Sequence, residues 1–143
     1  MKKLMLILAV SALSAAASAQ TTHTMGEVRV AGKQARIDYP SNAHTMWYDE
    51  FDKVKGSYYL SNGKSMQLSM WGNRMYAKID GMNKLPLVAA SPYVFVARNL
   101  QMKIMIDDPD VTSGDIGATV VLAEPLLSGT SSGKQFVTLL ARR

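Results

Sequence analysis

The sequence predicts an all-β fold, an antiparallel meander of about 8–10 short strands rolled into a small barrel, lipocalin-like or similar. Two observations predict it. Between Val54 and Leu122, apolar and polar residues alternate over short stretches, which is typical of strands with one buried face. Turn-forming pairs such as Asn62-Gly63 and Gly72-Asn73 interrupt these stretches at intervals of about ten residues. A meander this long must close or curl to remove its edges.

The N-terminal part of the domain combines a weak hairpin pattern with a helical turn. Residues 26–31 and 34–39 are predicted to form a hairpin around Gly32-Lys33, and residues 41–52 one short helical turn. Residues 55–60 form the first strand of the clear meander. The Asn62-Gly63 pair that follows predicts a two-residue hairpin turn, because both residues tolerate a positive φ.

The next two strands are predicted to share one buried face. The turn at Gly72-Asn73 makes them antiparallel, and a slip by one residue would bury Arg74 and Lys78. The residues predicted to face the interior are Met66, Leu68, Met70, Met75, Ala77 and Ile79, opposite Gln67, Ser69, Arg74 and Lys78.

The remaining strands follow the same pattern. Residues 85–90 form a weaker candidate, because Pro86 lacks a backbone donor. Residues 93–97 and 102–106 are predicted strands, and residues 107–115 a polar loop. Residues 116–122 form a further strand in which Gly117 suggests a bulge. A flexible linker over residues 128–133 precedes residues 135–141, where Val137 and Thr138 favour a last strand over a short helix.

The first 19 residues have the three parts of an export signal. Lys2 and Lys3 precede an apolar run over residues 4–10, and Ala17-Ser18-Ala19 matches the small-x-small cleavage pattern. The run is too short to span a bilayer. We therefore expect a signal peptide over residues 1–19, a single domain over residues 20–143, and a periplasmic or secreted protein without a further transmembrane segment.

Composition excludes several classes of protein. The chain has no cysteine, which excludes disulfides, thiol catalysis and a lipid anchor on a cysteine after the cleavage site. The net charge of +5 includes Lys2 and Lys3 of the signal, so the basicity is mild and does not indicate nucleic-acid binding.

Three stretches carry a resemblance to known proteins: GSYYLSNGKSMQL from Gly56, RMYAKIDG from Arg74 and LVAASPYVFVAR from Leu87. They are similar to small exported proteins of proteobacteria. More distantly, they resemble the β-barrel domain found C-terminal to serine β-lactamase-like enzymes, in which a G-x-Y-x-L-x-N-G hairpin precedes a short strand. These motifs are turn and core signatures. The resemblance therefore implies a fold, and it brings no catalytic residues and no cofactor.

Motifs of hydrolytic enzymes occur in unsuitable places. Residues 129–133 match G-x-S-x-G, but no histidine follows them. Residues 61–64 and 131–134 match S-x-x-K, the nucleophile motif of penicillin-recognising enzymes, which needs a helix start rather than a turn or a linker. We expect no catalytic residues and no enzyme, and a hydrolase is the weakest alternative.

Three binding hypotheses remain open. His44 and Met46 are candidate ligands of Cu(I), which prefers imidazole and thioether donors, although core packing also explains the ten methionines of the chain. Four clustered aspartates would either bind calcium or form a solvated turn without a ligand; they are Asp107, Asp108, Asp110 and Asp115. Aromatic side chains would line a cavity, stack on a sugar or fill the core; they are Tyr58, Tyr59, Trp71, Tyr76, Tyr93 and Phe95.

The functional expectation is therefore a non-enzymatic, exported β-barrel protein of the cell envelope that binds a small apolar ligand or a protein partner. The alternative is a periplasmic Cu(I)-binding protein that uses His44 and Met46.

Overall fold

The computed structural model describes residues 36–125 and 134–143 as one short helix and eight strands. In chain order the elements are α1 (Tyr48–Val54), β1 (Gly56–Leu60), β2 (Ser65–Trp71), β3 (Arg74–Ile79), β4 (Leu85–Ser91), β5 (Val94–Ala97), β6 (Met102–Ile106), β7 (Gly117–Pro125) and β8 (Lys134–Arg142). Each strand pairs antiparallel with the next, and β8 pairs with β1. The predicted small all-β barrel is confirmed. Within the described ranges, no helix is both long and apolar enough to cross a membrane.

The predicted register of the β2–β3 hairpin is confirmed pair by pair. Met66 lies opposite Ile79, and Met70 lies opposite Met75. Gly72 and Asn73 form the two-residue turn, with Gly72 at a φ of +56°, where a residue without a Cβ is not strained. The four residues Met66, Leu68, Ala77 and Ile79 are almost wholly buried.

Two local predictions are wrong. The loop around Asn62-Gly63 has three residues rather than two: the Leu60 N–H donates to the Lys64 oxygen at 2.8 Å, and only Gly63 has a positive φ, of +80°. This is a turn followed by a left-handed glycine, the usual form of a three-residue hairpin. Gly117 marks no bulge, because the β7 register is continuous on both sides. A Cβ on Gly117 would instead collide with a carboxylate oxygen of Asp107.

The N-terminal predictions are tested only in part. The helical turn expected within residues 41–52 is confirmed as α1, although the helix begins and ends later. Residues 36–39 are described and are not a strand, so that part of the predicted hairpin is wrong. Residues 26–31 and the linker at 128–133 lie outside the described residues, as does the export signal.

The helix closes one end of the barrel, which we call the helix-capped end. Phe51 and Val54 of α1 are buried in the main core, and the ring of Phe51 packs edge-to-face on Phe95 with centroids 5.8 Å apart. Because the strands alternate in direction, the β2–β3, β4–β5 and β6–β7 loops lie at this same end. The helix is joined to the last of these loops by Lys53, whose ammonium binds the Asp110 carboxylate at 2.7 Å.

A smaller cluster lies outside the barrel wall. Ile37 of the N-terminal segment is buried with the outward-facing Val96 and Val121 of β5 and β7. Aliphatic side chains therefore cover the outer face of these strands, although the two-residue alternation predicts polar side chains on the face that points away from the core.

Candidate functional site

The barrel interior is filled by side chains, so the candidate sites lie on its surface and at its ends. Tyr58 and Phe95, two of the six candidate aromatics, are fully buried in the main core. They pack with Met66, Leu68, Met102 and Ile104, which are also buried to within a few per cent. These two aromatics therefore contribute to the packing of the main core.

Trp71 and Tyr76 are the candidate aromatics that come together on the surface. Both project outward from the β2–β3 hairpin: Trp71 pairs with Arg74, and Tyr76 pairs with Ser69, so the two rings are diagonal neighbours. They line an open cleft of about 470 Å³ together with Gly72, Asn73 and Arg74. Trp71 is 79% exposed. We call the outward-facing residues of these strands the outer hairpin face; they are Ser65, Gln67, Ser69, Trp71, Arg74, Tyr76 and Lys78.

The outer hairpin face is positively charged. Arg74 and Lys78 are exposed, and the Lys84 ammonium lies 4.4 Å from the centre of the Tyr76 ring. Within residues 36–125 and 134–143, none of these three cations forms a salt bridge. The strands β1, β2 and β3 contain no carboxylate. The Asp80 carboxylate, directly after β3, accepts a hydrogen bond from the Ser65 backbone N–H at 2.9 Å, at the end of this face away from Trp71. The face therefore combines aromatic rings with a net positive charge.

The candidate metal ligands His44 and Met46 lie at the helix-capped end. The His44 backbone N–H donates to the oxygen of Ala89 on β4 at 2.9 Å. Its ring nitrogen Nε2 is buried and has no hydrogen-bond partner among the described residues. Met46 is partly buried and packs on the main core. The next residue, Trp47, is the N-cap that precedes α1, and the Trp47 backbone N–H donates a hydrogen bond to the Glu50 carboxylate at 2.8 Å.

The acidic loop after β6 is occupied by internal contacts. The Asp108 side chain accepts a hydrogen bond from the Asp110 backbone N–H at 2.9 Å, as in an Asx turn. The Asp110 carboxylate binds Lys53, and this hydrogen bond raises the pKa of Lys53. No group of three or more His, Cys, Asp or Glu side chains in the described parts of the chain is placed to hold a metal ion.

The hydrolase motifs do not form a catalytic site among the described residues. Residues 61–64 lie in the β1–β2 turn and not at the start of a helix, as expected. Residues 129–133 lie outside the described residues. His44 Nε2 makes no hydrogen bond to a serine or a carboxylate within the described ranges.

Sequence reasoning missed two features of these sites. Phe51, which anchors the helix in the core, was not singled out, although its spacing of three residues from Val54 places both apolar side chains on one face of a helix. The strained Tyr93, with a φ of +59°, follows Pro92 in the two-residue turn between β4 and β5. Burial raises the pKa of Tyr93, and the nearby Lys53 acts in the opposite direction.

Comparison with protein-family models, with curated proteins and with solved structures finds no match to this chain. The resemblance to the barrel domain of β-lactamase-like enzymes therefore stays a prediction. Any function assigned to the candidate sites follows from their geometry.

Proposed function

We propose that the protein is a non-enzymatic binding protein of the bacterial cell envelope, exported by residues 1–19 to the periplasm or beyond. Its ligand is an acidic polysaccharide that binds on the outer hairpin face. One observation carries this proposal: Trp71 and Tyr76 line an open cleft with Arg74, and the Lys84 ammonium lies over the Tyr76 ring. The filled interior argues against a small apolar ligand inside the barrel.

Each group in the cleft has a role in this form of binding. The exposed face of the Trp71 indole stacks on the apolar C–H face of a sugar ring, which buries aromatic area without the loss of a polar contact. The Arg74 guanidinium, beside it in the paired register, binds a sugar carboxylate through two parallel hydrogen bonds. The Asn73 amide supplies a donor and an acceptor for hydroxyl groups. Lys84 holds positive charge over the Tyr76 ring.

A second cleft, of about 390 Å³, lies at the opposite end of the barrel between residues such as Ile79, Met82 and Leu122. Pro125 and Gln135 also line it, on either side of residues 126–133, which the structure does not describe. We therefore assign no ligand to it.

The test is a fluorescence titration with an acidic oligosaccharide. The chain has two tryptophans, and both are exposed, so the Trp47→Phe variant reports on Trp71 alone. We expect an alginate oligosaccharide to change its emission with a Kd of about 10 µM to 1 mM. The Trp71→Ala and Arg74→Gln variants should each bind at least about tenfold more weakly. Binding should also weaken as the ionic strength rises from about 0.05 to about 0.5 M.

The controls separate this proposal from its competitors. Trp47→Phe should bind as the wild type does, because Trp47 is the N-cap of α1 and does not belong to the outer hairpin face. A neutral maltohexaose should bind more weakly than alginate. Absence of alginate binding at millimolar concentration would overturn the proposal. Equal or tighter binding of a single-stranded oligonucleotide would overturn it in favour of a nucleic-acid ligand.

A further inference from the structure

The ring nitrogen Nε2 of His44 is buried and has no hydrogen-bond partner in the part of the chain that the structure describes, which calls for an explanation. Burying a polar nitrogen without a hydrogen bond is unfavourable, and native proteins contain few such groups. The His44 backbone is held in place by Ala89, so the segment that carries this ring is fixed on β4. A bound metal ion would satisfy the nitrogen, because the neutral imidazole is a common metal ligand.

Thioether sulfurs lie at the same end of the barrel. Met46 follows His44 by two residues and packs on the main core. Met70 and Met75 are direct partners at the β2–β3 turn, and Met75 also pairs with Leu87, two residues before Ala89 on β4. Two residues along a strand span about 7 Å, and neighbouring strands are about 5 Å apart. These spacings place Met75 about 9 Å from Ala89, within reach of the long side chains at His44 and Met46, and Met70 lies one strand further away.

The sequence adds an independent observation. Both histidines of the chain stand in the same tripeptide, His-Thr-Met, first as His23-Thr24-Met25 and again as His44-Thr45-Met46. The first copy lies outside the described residues, and no role is assigned to it. A histidine and a methionine with one residue between them place a nitrogen and a sulfur donor close together twice in a chain that has only two histidines.

We propose that His44 Nε2, the Met46 sulfur and one sulfur of the Met70–Met75 pair form a Cu(I) site at the helix-capped end. One imidazole and two thioethers form a soft donor set without charge, which suits Cu(I) and not calcium or magnesium. Zinc prefers thiolate, imidazole and carboxylate ligands and is poorly served by thioethers. The site does not depend on the outer hairpin face, and it stands if no polysaccharide binds.

The test is competition for Cu(I) in the absence of oxygen. The purified protein is titrated into the coloured complex of Cu(I) with bicinchoninate, in a His23→Ala background that removes the first His-Thr-Met copy. We expect this protein to withdraw one Cu(I) per chain. Loss of a side chain that only hydrogen-bonds to a metal ligand lowers metal affinity about 10–100-fold. His44 and Met46 are direct ligands in this site, so His44→Ala and Met46→Leu should each lower the affinity for Cu(I) about 100-fold or more. One of Met70→Leu and Met75→Leu should have a similar effect.

The matched control is Met82→Leu, a partly buried methionine in the loop between β3 and β4 at the opposite end of the barrel. It should bind Cu(I) as its parent does. Methionine and leucine have similar volumes, so these variants keep the fold, and urea unfolding of each metal-free variant verifies this. In a Trp71→Phe variant, Cu(I) should also quench the fluorescence of Trp47, the neighbour of Met46. Unchanged affinity in His44→Ala or in Met46→Leu would overturn the site, as would equally tight binding of Zn²⁺.

Discussion

The hydroxyl of Tyr58 joins the end of the helix to the barrel, and its removal provides a direct test of the fold. The Tyr58 O–H donates to the backbone oxygen of Val54 at 2.7 Å in a buried setting. Val54 is the last residue of α1, where backbone carbonyls lack partners within the helix. Tyr58→Phe leaves this buried oxygen unpaired, so we expect the free energy of unfolding at pH 8 to fall by about 1–3 kcal/mol.

The same side chain makes the stability depend on pH. Burial raises the pKa of Tyr58 from 10.0 to about 12, while the positive charge of Arg143 acts in the opposite direction. Below the pKa of Tyr58 in the unfolded chain, both the folded and the unfolded state keep the phenol proton. The contribution of Tyr58 to the stability is then fully present. Between about pH 10 and pH 12 the unfolded state loses the proton first, so the stability falls by about 1.4 kcal/mol per pH unit.

Urea unfolding of the wild type and of Tyr58→Phe, followed by circular dichroism at several values between pH 8 and pH 12, measures both effects. Taking the difference between the two proteins removes the titration of the other tyrosines and the lysines. The wild type should be more stable at pH 8, and its advantage should shrink as the pH rises above 10. The reasoning is refuted if the two proteins are equally stable at pH 8, or if the difference between them is constant up to pH 12.

Three further predictions concern the core, a turn and the N-terminus. Met66→Ala should lower the free energy of unfolding of the metal-free protein by about 2–5 kcal/mol. Met70 is only half-buried, so Met70→Ala should lower it by less. Urea unfolding measures both values, and an unchanged stability of Met66→Ala would contradict the core assignment. Gly63→Val should lower the free energy of unfolding by about 1–2 kcal/mol or more, because a β-branched residue is strained at the positive φ of this position. A melting temperature equal to that of the wild type would count against the turn. N-terminal sequencing of the exported protein should begin at Gln20, and a start at Met1 would exclude cleavage.

Alternation in the sequence was sufficient to predict the register of β2 and β3, because a slip by one residue would have buried Arg74 and Lys78. It was less informative about Tyr58 and Tyr59. The two-residue period says that these neighbours face opposite sides, but it does not say which side is the interior. The structure places Tyr58 in the core and leaves Tyr59 75% exposed. The length of the turn at Asn62-Gly63 depended on backbone hydrogen bonds that residue preferences do not specify.

The candidate sites were predictable to different degrees. His44 and Met46 could be chosen from their side-chain chemistry alone. The Met70–Met75 pair could not be connected with them, because His44 is held by Ala89, 45 positions further along the chain. Trp71 and Tyr76 were two of six aromatic candidates, and only the barrel's curvature and pairing separated them from the core residues Tyr58 and Phe95.

The closure of the barrel has a consequence for how the chain folds. Seven of the eight strand pairings join neighbours in the sequence, whereas β1 meets β8 through only two residue pairs, Tyr59 with Arg142 and Leu60 with Ala141. The local hairpins enclose short loops and form at low entropic cost, while this last pairing encloses about eighty residues. We expect the seam to close after the hairpins and to be where the native barrel opens first. Amide hydrogen exchange should therefore be faster at the β1–β8 seam than along the nine paired positions of β7 and β8.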